Sequence, residues 1–157
     1  MKICEILKVE HILPEFTVEA KEDIINQMID LFNGDDRINN LDTVRTTVIE
    51  REKIMSTGVG NGFAIPHGKT DAVNEIVAGF AKTKNAIDFE ALDGQNVNLV
   101  FLLVGKENMV GPHIKLLSRI SRMMNKTEFR EKLINANSSE EIYNIFCEEE
   151  KNYIELS

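Results

Sequence analysis

The histidine with the most distinctive sequence context is His67, which lies in the segment GNGFAIPHGK. We expect a strand to run into Pro66 and the chain to turn at Gly68, so that the imidazole projects from a sheet edge. A neutral imidazole is a competent nucleophile near pH 7, because its reference pKa is about 6.5, and the N–P bond that it forms is easily passed on. This chemistry predicts reversible phosphoryl transfer. A loop histidine held by a backbone carbonyl is the ordinary structural alternative.

Residues close to His67 in the sequence favour an anion. Gly60 and Gly62 have no side chain, so we expect their backbone N–H groups to be free to approach a phosphate, and Lys69 adds positive charge. Arg51, at the end of a predicted helix, can neutralise and orient phosphate oxygens with its guanidinium group. An arginine in the last turn also complements the helix dipole, which is an equally ordinary reason for its presence.

A second histidine, His113, follows Gly111 and Pro112 in the first turn of another predicted helix. A helix N-terminus disfavours an imidazolium and favours a bound anion, so a neutral His113 can donate one N–H to a phosphate oxygen. Taken alone, it could equally be a helix residue partly covered by Leu117. We predict that His113 and Arg51 meet His67 in one site.

Other chemistries have weaker support in the sequence. His, Cys and carboxylate residues show neither HxxxH nor CxxC spacing, and the GxSxG motif of serine hydrolases is absent. The segment GVGNG resembles a glycine-rich loop, but the GK[ST] of a P-loop does not follow it, and a strand comes next in place of a helix. We therefore expect no bound metal and no cofactor.

The remaining histidine and the two cysteines have no recognisable functional setting. His11 precedes Ile12 without a motif around it, and we expect it at the surface. Cys4 and Cys147 lie near opposite ends of the chain without metal-ligand spacing, so we expect reduced, partly buried thiols.

Length and composition favour a single domain over residues 1–157, with 43% apolar residues available for a core. The chain has 18 Lys and Arg against 26 Asp and Glu, a formal charge of −8, which argues against nucleic acid as a partner. The longest apolar run, Leu99 to Val104, is far shorter than the roughly 20 residues that a membrane-spanning helix needs. The N-terminal residues do not have a secretory profile, and we expect a cytoplasmic protein without membrane insertion.

The elements that must position these residues can be predicted in order. We predict a first helix capped by Thr17 and ended by Gly34, a second from Asp42 to about Lys53, and a loop over STGVGNG. Strands are predicted at Phe63 to Pro66, Ile76 to Ala81 and Ala86 to Phe89, then a turn at Asp93 and Gly94, and a central strand from Val97 to Val104, covered on both faces.

Three more helices are expected in the last third of the chain. Pro112 begins the first of them, Thr127 caps a short helix through Leu133, and Ser138 with Glu141 forms a capping box for the last. Helices before and after a group of strands predict an α/β sandwich with a mixed sheet.

Two segments together resemble one protein family. REKIMSTGVGNGFAIPHG, from Arg51 to Gly68, resembles the phosphorylation-site motif of the fructose/mannitol-type IIA components (EIIA type 2) of the bacterial phosphoenolpyruvate-dependent sugar phosphotransferase system. GPHIKLLSRISRMM, from Gly111 to Met124, resembles the second-histidine helix of that family, and TEFREKL with SSEEIYNIF resembles its usual ending. Phe63 stands where the family more often has Ile or Val, a departure that concerns packing.

The resemblance implies a fold, a reaction and partners. The fold would be a three-layer α/β/α sandwich around a mixed sheet, with His67 as the phosphorylated nucleophile, His113 as a phosphate-stabilising second histidine and Arg51 as the residue that stabilises phosphate charge. The donor would be phospho-HPr and the acceptor a cysteine of a IIB component, with IIB and the membrane IIC component expected on separate chains.

Two other functions remain open at this stage. Nitrogen-related IIA proteins of the same family resemble the STGVGNGFAIPHG stretch about as well and act by binding target proteins according to phosphorylation state. A binding module that retained the fold without phosphoryl transfer is a third reading, which the intact histidines disfavour. The sequence does not indicate which sugar would be transported.

Overall fold

A computed structural model describes residues 1–154, apart from the side chains of Phe16 and Val59. The described residues form six helices and six strands. None of these helices is long and apolar enough to cross a membrane. The helices are α1 (Ile3–Ile6), α2 (Lys21–Asp30), α3 (Leu41–Ile54), α4 (Val110–Met124), α5 (Thr127–Asn135) and α6 (Ser139–Ile154), and the strands are β1 (Leu7–Phe16), β2 (Gly58–Gly60), β3 (Phe63–Ala64), β4 (His67–Lys69), β5 (Val77–Ile87) and β6 (Val97–Gly105).

The six strands form one mixed sheet. Strand β5 lies between β1, to which it is parallel, and β6, to which it is antiparallel. Strands β3 and β4 both pair in parallel with β6, one after the other along the same edge, and β2 pairs antiparallel with β3. Pro66 has no N–H to donate, which is consistent with the gap between β3 and β4.

Helices cover both faces of this sheet. On β6, Phe101 and Leu103 belong to an apolar cluster with α1, α4, α5 and α6, whereas Leu102 and Val104 belong to a second cluster with α2 and α3. Alternate residues of a strand point to opposite faces, so a strand buried on both sides needs the unbroken apolar run that β6 has. The predicted three-layer α/β/α sandwich, its mixed sheet and its central strand are confirmed.

Several predicted boundaries were wrong by a few residues. Helix α2 begins at Lys21 after the N-cap Ala20, without the expected side-chain cap from Thr17, and α5 includes Thr127 and follows the N-cap Lys126. The N-cap of α3 is Asn40, whose side chain accepts the N–H of Thr43 at 3.1 Å. Packing against the sheet decides where these helices begin, so a nearby capping residue type is a weak guide.

The capping box of the last helix is confirmed in part. The hydroxyl oxygen of Ser138 accepts the N–H of Glu141 at 3.1 Å, immediately before α6 begins. The carboxylate of Glu141 reaches one residue further back than expected and accepts the N–H of Asn137 at 2.9 Å. Two backbone donors at the start of α6 are thereby satisfied.

Strand limits also differ from the prediction. Part of the glycine-rich segment predicted as a loop forms β2, which pairs with β3, and the two strands predicted around residues 76–81 and 86–89 are one strand, β5. The exposed residues Lys84 to Ala86 interrupt the apolar pattern without ending β5, because pairing with β6 resumes at Ile87. Sheet pairing therefore overrides the local pattern here.

The prediction of two free thiols was wrong, since Cys4 and Cys147 form a disulfide with a Cα–Cα distance of 5.5 Å. Helix α1 lies against α6, where Glu150 accepts the N–H of Ile3 at 2.6 Å and the hydroxyl of Tyr143 donates to the carbonyl of Cys4 at 2.6 Å. Two ends of a chain that are remote in sequence are neighbours in this fold, which sequence separation does not reveal.

His11 was expected at the surface and is buried, with 3% of its area exposed. It lies on β1, with its ring edge-on to Phe32 and its Nε2 atom 3.6 Å from the carboxylate of Asp35. Burial is the main cause that lowers the pKa of His11, and the charge of Asp35 opposes this shift. Asp35 in turn binds Arg37 at 2.8 Å, so the carboxylate beside His11 is already paired with another group.

Candidate functional site

Three elements bring the predicted site residues into one cavity. Strand β4 places His67 opposite Leu103 of β6, the last turn of α3 contributes Arg51, and the first turn of α4 contributes His113. The centroids of the two imidazole rings are 5.8 Å apart, and the ring planes are inclined by 52°. The cavity has a volume of about 340 Å³ and is lined by Thr47, Arg51, His67, Gly68, Lys69, Glu107 and His113.

One hydrogen bond determines which nitrogen of His67 is available. Its Nδ1 atom lies 2.8 Å from the backbone carbonyl oxygen of Ile65. A carbonyl oxygen can only accept, so Nδ1 carries the proton of the neutral ring and Nε2 keeps its lone pair. The ring is half-buried and lines the cavity. A purely structural histidine could make the same hydrogen bond to a backbone carbonyl. Here that bond leaves the lone pair of Nε2 available for nucleophilic attack.

The surroundings of His67 favour its neutral form. Burial lowers the pKa of His67 most, and the positive charges of Arg51 and Lys69 act in the same direction. The carbonyl of Ile65 and the charge of Glu52 oppose the shift. The net pKa is below the ordinary value of 6.5, so His67 is neutral at pH 7 and its lone pair is not blocked by a second proton.

His113 is neutral as well and has a hydrogen-bond donor to spare. Burial, followed by the neighbouring His67 and Lys69, lowers the pKa of His113 to about 4. Both of its ring nitrogens are buried, and neither has a hydrogen-bond partner among the described residues. A neutral imidazole carries one N–H, and buried donors are nearly always paired, so an anion in the cavity would supply the missing acceptor.

The position of the His113 ring depends on the absence of a side chain at Gly105. A Cβ atom built on Gly105 would lie 2.6 Å from Nδ1 of His113, closer than real Cβ contacts come. Strand β6 ends at Gly105, directly beside Lys69 of β4. Any larger residue there would displace the ring, the helix or the strand.

Arg51 brings a positive charge to the cavity without an internal counter-charge. One N–H of its guanidinium donates to the carbonyl of Met55 at 3.0 Å, which closes the end of α3. No carboxylate within the part of the chain that the structure describes forms an ion pair with Arg51. A planar fork of donors with this freedom can bind two oxygens of a phosphoryl group.

Sequence reasoning missed two residues of the cavity and misplaced two others. Thr47 precedes Arg51 by one helical turn, so helical spacing alone could have found it. Glu107 follows the end of β6, and the loop after a buried strand is a common place for site residues. Gly60 and Gly62 are not in the cavity lining: Gly60 ends β2 and Gly62 lies in the β2–β3 turn, with φ angles of +126° and +80°.

Comparison with known proteins gives this geometry a family context. Residues 5–149 match the family described as "Phosphoenolpyruvate-dependent sugar phosphotransferase system, EIIA 2". The fructose-specific EIIABC component of the phosphotransferase system of Bacillus subtilis (strain 168) is 33% identical over 151 residues, which cover 96% of this chain and 24% of that relative. This chain therefore spans about a quarter of the length of the Bacillus protein.

Two solved structures share the fold. The nitrogen regulatory protein IIA-Ntr of Neisseria meningitidis superposes with a TM-score of 0.86 at 33% identity, over 92% of this chain and 98% of that one. Enzyme IIA for mannitol of Escherichia coli, in complex with phosphorylated enzyme IIB, superposes with a TM-score of 0.77 at 18% identity, over 91% and 99% of the two chains. With a family match over nearly its whole length, this chain belongs to the EIIA type 2 family of the phosphoenolpyruvate-dependent sugar phosphotransferase system.

Proposed function

We propose that this protein is a phosphocarrier that accepts a phosphoryl group on Nε2 of His67 from phospho-HPr and passes it to a cysteine of a IIB component during sugar uptake. The observation that carries the proposal is the unprotonated Nε2 of His67, held in a cavity that also contains Arg51, Lys69 and a neutral His113. A nucleophile surrounded by cations and an unpaired donor is suited to a phosphoryl group in transit.

Phosphoryl transfer takes place in two steps, and in each of them one bond to phosphorus forms as another breaks. In the first step, the lone pair on Nε2 of His67 forms a bond to phosphorus while the N–P bond of the donor histidine breaks, and its electron pair returns to the donor ring. In the second step, a cysteine thiolate of the acceptor attacks phosphorus, an S–P bond forms, and the electrons of the N–P bond return to Nε2. Nδ1 keeps its proton throughout because the carbonyl of Ile65 holds it.

Each neighbour of His67 has a distinct role in this mechanism. Arg51 offsets the negative charge on the phosphoryl oxygens as they move between donor and acceptor. His113 donates its one N–H to a phosphoryl oxygen, which it can do at pH 7 without adding a full charge. A neutral donor stabilises the transfer and still permits the group to leave.

Support for the partners comes from the relatives. The Bacillus protein is named as a combined EIIABC component, and the Escherichia coli IIA protein was solved in a complex with phosphorylated IIB. HPr is the expected donor for the family, and transfer from HPr would take place in the cytoplasm. The membrane component IIC would be reached indirectly, through IIB.

A regulatory function is the second candidate. The IIA-Ntr protein of Neisseria meningitidis matches at 33% identity, whereas the mannitol protein matches at 18%. A regulatory protein would use the same phosphorylation of His67 to change its affinity for target proteins. Transport of a sugar such as fructose or mannitol would require a IIB acceptor, whereas regulation would require a target protein that distinguishes the two phosphorylation states.

Phosphorylation can be tested by incubating the protein with phosphoenolpyruvate, enzyme I and HPr, and then measuring its intact mass. We expect wild type and His113→Ala to gain one phosphoryl group and His67→Ala to gain none. A wild type that stays unlabelled, or a His67→Ala variant that labels as well as wild type, would contradict the proposal.

A second experiment distinguishes transport from regulation. The phosphorylated protein is mixed with purified fructose- and mannitol-type IIB domains, and loss of label from His67 is followed over time. Transfer to a IIB cysteine within seconds supports the transport function. Stable label, together with partners that bind one phosphorylation state alone, would support the regulatory function instead.

A further inference from the structure

Glu52 is a buried carboxylate that follows the site residue Arg51 on α3 and has 4% of its area exposed. Its Oε2 atom accepts the backbone N–H of Thr57 at 2.9 Å, and its Oε1 atom accepts the hydroxyl of Thr57 at 2.5 Å. The ammonium group of Lys21 lies 3.4 Å from Oε2 and balances the charge. A buried carboxylate with both oxygens engaged holds its partner strongly, because charged hydrogen bonds are shorter and stronger than neutral ones.

The same hydrogen bonds continue from Thr57 to the ring of His67. The carbonyl of Thr57 accepts the N–H of Ile65 at 3.1 Å, and the carbonyl of Ile65 accepts the Nδ1 proton of His67 at 2.8 Å. Ile65 lies in the gap between β3 and β4, so the ladder with β6 does not hold its N–H. The bond from Thr57 fixes the peptide group on the N-terminal side of Ile65, and it thereby anchors the residue whose carbonyl, in the next peptide group, selects the tautomer of His67.

We propose that Glu52 is a positioning residue for His67, which fixes the ring tautomer and orientation through Thr57 and Ile65. This inference rests on the proposed function where it concerns the rate of transfer, but the tautomer of His67 can be measured without any partner protein. Fixing one tautomer matters because only the form with Nδ1 protonated presents a lone pair on Nε2 toward the cavity.

Glu52 also balances the charges around His67. The charged and titratable groups near the ring are Arg51 and Glu52 from α3, Lys69 from β4 and His113 from α4, and Glu107 from the loop before α4 lines the same cavity. The negative charge of Glu52 raises the pKa of His67 against the effect of Arg51 and Lys69. Neutralising Glu52 should therefore lower that pKa further, an effect that lost packing alone would not produce.

The test compares Glu52→Gln with Glu50→Gln, a matched control on the exposed side of the same helix, where Glu50 pairs with Lys53. Side-chain ¹⁵N NMR of the full chain at pH 7 reports the tautomer of His67. We expect wild type and Glu50→Gln to show one form, protonated on Nδ1. In Glu52→Gln we expect a mixture of tautomers, a lower pKa for His67, and initial acceptance from phospho-HPr that is slower by about tenfold.

A second pair of variants keeps the test decisive if Glu52→Gln does not fold. Thr57→Val removes the hydroxyl that Glu52 binds, whereas Thr57→Ser retains it. We expect Thr57→Val to show the mixed tautomers and Thr57→Ser to resemble wild type. A folded Glu52→Gln, or a folded Thr57→Val, with a wild-type tautomer and pKa would overturn the inference. Normal tautomers with no phosphorylation of wild type would instead contradict the proposed function.

Discussion

Two histidine clusters lie on opposite sides of β5 in the order of the sheet, and they differ in what surrounds the rings. His67, on β4, opens to a cavity that also contains Arg51, Lys69 and Glu107, and it forms no ion pair with a carboxylate in the part of the chain that the structure describes. His11, on β1, is sealed beside Asp35, which Arg37 already pairs through two hydrogen bonds. Burial is the largest cause that lowers the pKa of both rings, so both are neutral at pH 7.

The difference lies mainly in access to the ring. An incoming phosphoryl group can enter the cavity at His67 and meets Arg51 and Lys69 there, whereas packed side chains and the carboxylate of Asp35 surround His11. A lowered pKa is therefore shared by the proposed phosphorylation site and by a buried histidine outside it, and it does not by itself identify either.

The largest expected effect separates the two clusters by their function. We expect His67→Ala to lose phosphoryl acceptance by at least about a thousandfold with little change in stability, since the nucleophile itself is removed. His11→Ala should accept the phosphoryl group normally but lose about 1–3 kcal/mol of stability through the cavity it leaves. Intact mass after labelling and urea unfolding measure the two effects. Equal effects of both substitutions on labelling would break the distinction.

The next largest effect concerns the second ring of the cavity. We expect His113→Ala to be phosphorylated by phospho-HPr but to pass the group to IIB about a hundredfold more slowly, because one donor to the transferring oxygens is lost. Single-turnover transfer from the labelled protein measures this rate. His113→Gln, which retains an N–H donor, should recover part of it. Unchanged transfer by His113→Ala would restrict His113 to a packing role.

The pH dependence of stability follows from the lowered pKa values. His113 has a pKa of about 4 when folded against 6.5 when unfolded, so below pH 6.5 the unfolded chain binds more protons and stability falls until about pH 4. This one group should account for about 3 kcal/mol of that loss. Urea unfolding at pH 7, 5.5 and 4 measures it. The stability of His113→Gln should fall less steeply between pH 7 and 4, because the titrating imidazole is absent. An equally steep fall in that variant would assign the pH dependence to other groups.

The smallest of these effects tests the close contact behind His113. We expect Gly105→Ala to displace the ring and slow onward transfer by about tenfold, since an added Cβ would lie 2.6 Å from Nδ1. Gly111→Ala is the matched control on the same helix as His113, because a Cβ there would meet nothing within 4 Å. A wild-type rate of onward transfer in Gly105→Ala would show that α4 can shift to accommodate the added Cβ without slowing transfer.

Much of the architecture followed from local patterns. The apolar run of β6 predicted a strand covered on both faces, and the spacing of Ser138 and Glu141 predicted the start of α6 to within one residue. The start of α2 was less accurate, with the N-cap at Ala20 in place of Thr17, because its position depends on packing against the sheet. The motifs around His67 and His113 together predicted the family, which the match over residues 5–149 confirms.

The sequence by itself determined the residue types of the site and the periodicities that build a three-layer sandwich, because burial on one face or on two leaves a local pattern. Only the tertiary structure decided that Arg51, His67 and His113 share a cavity, that Ile65 selects the tautomer, that His11 is buried and that Cys4 meets Cys147. These features depend on contacts between segments that are remote in sequence, or on the positions of single atoms. Neither produces a periodic pattern in the sequence.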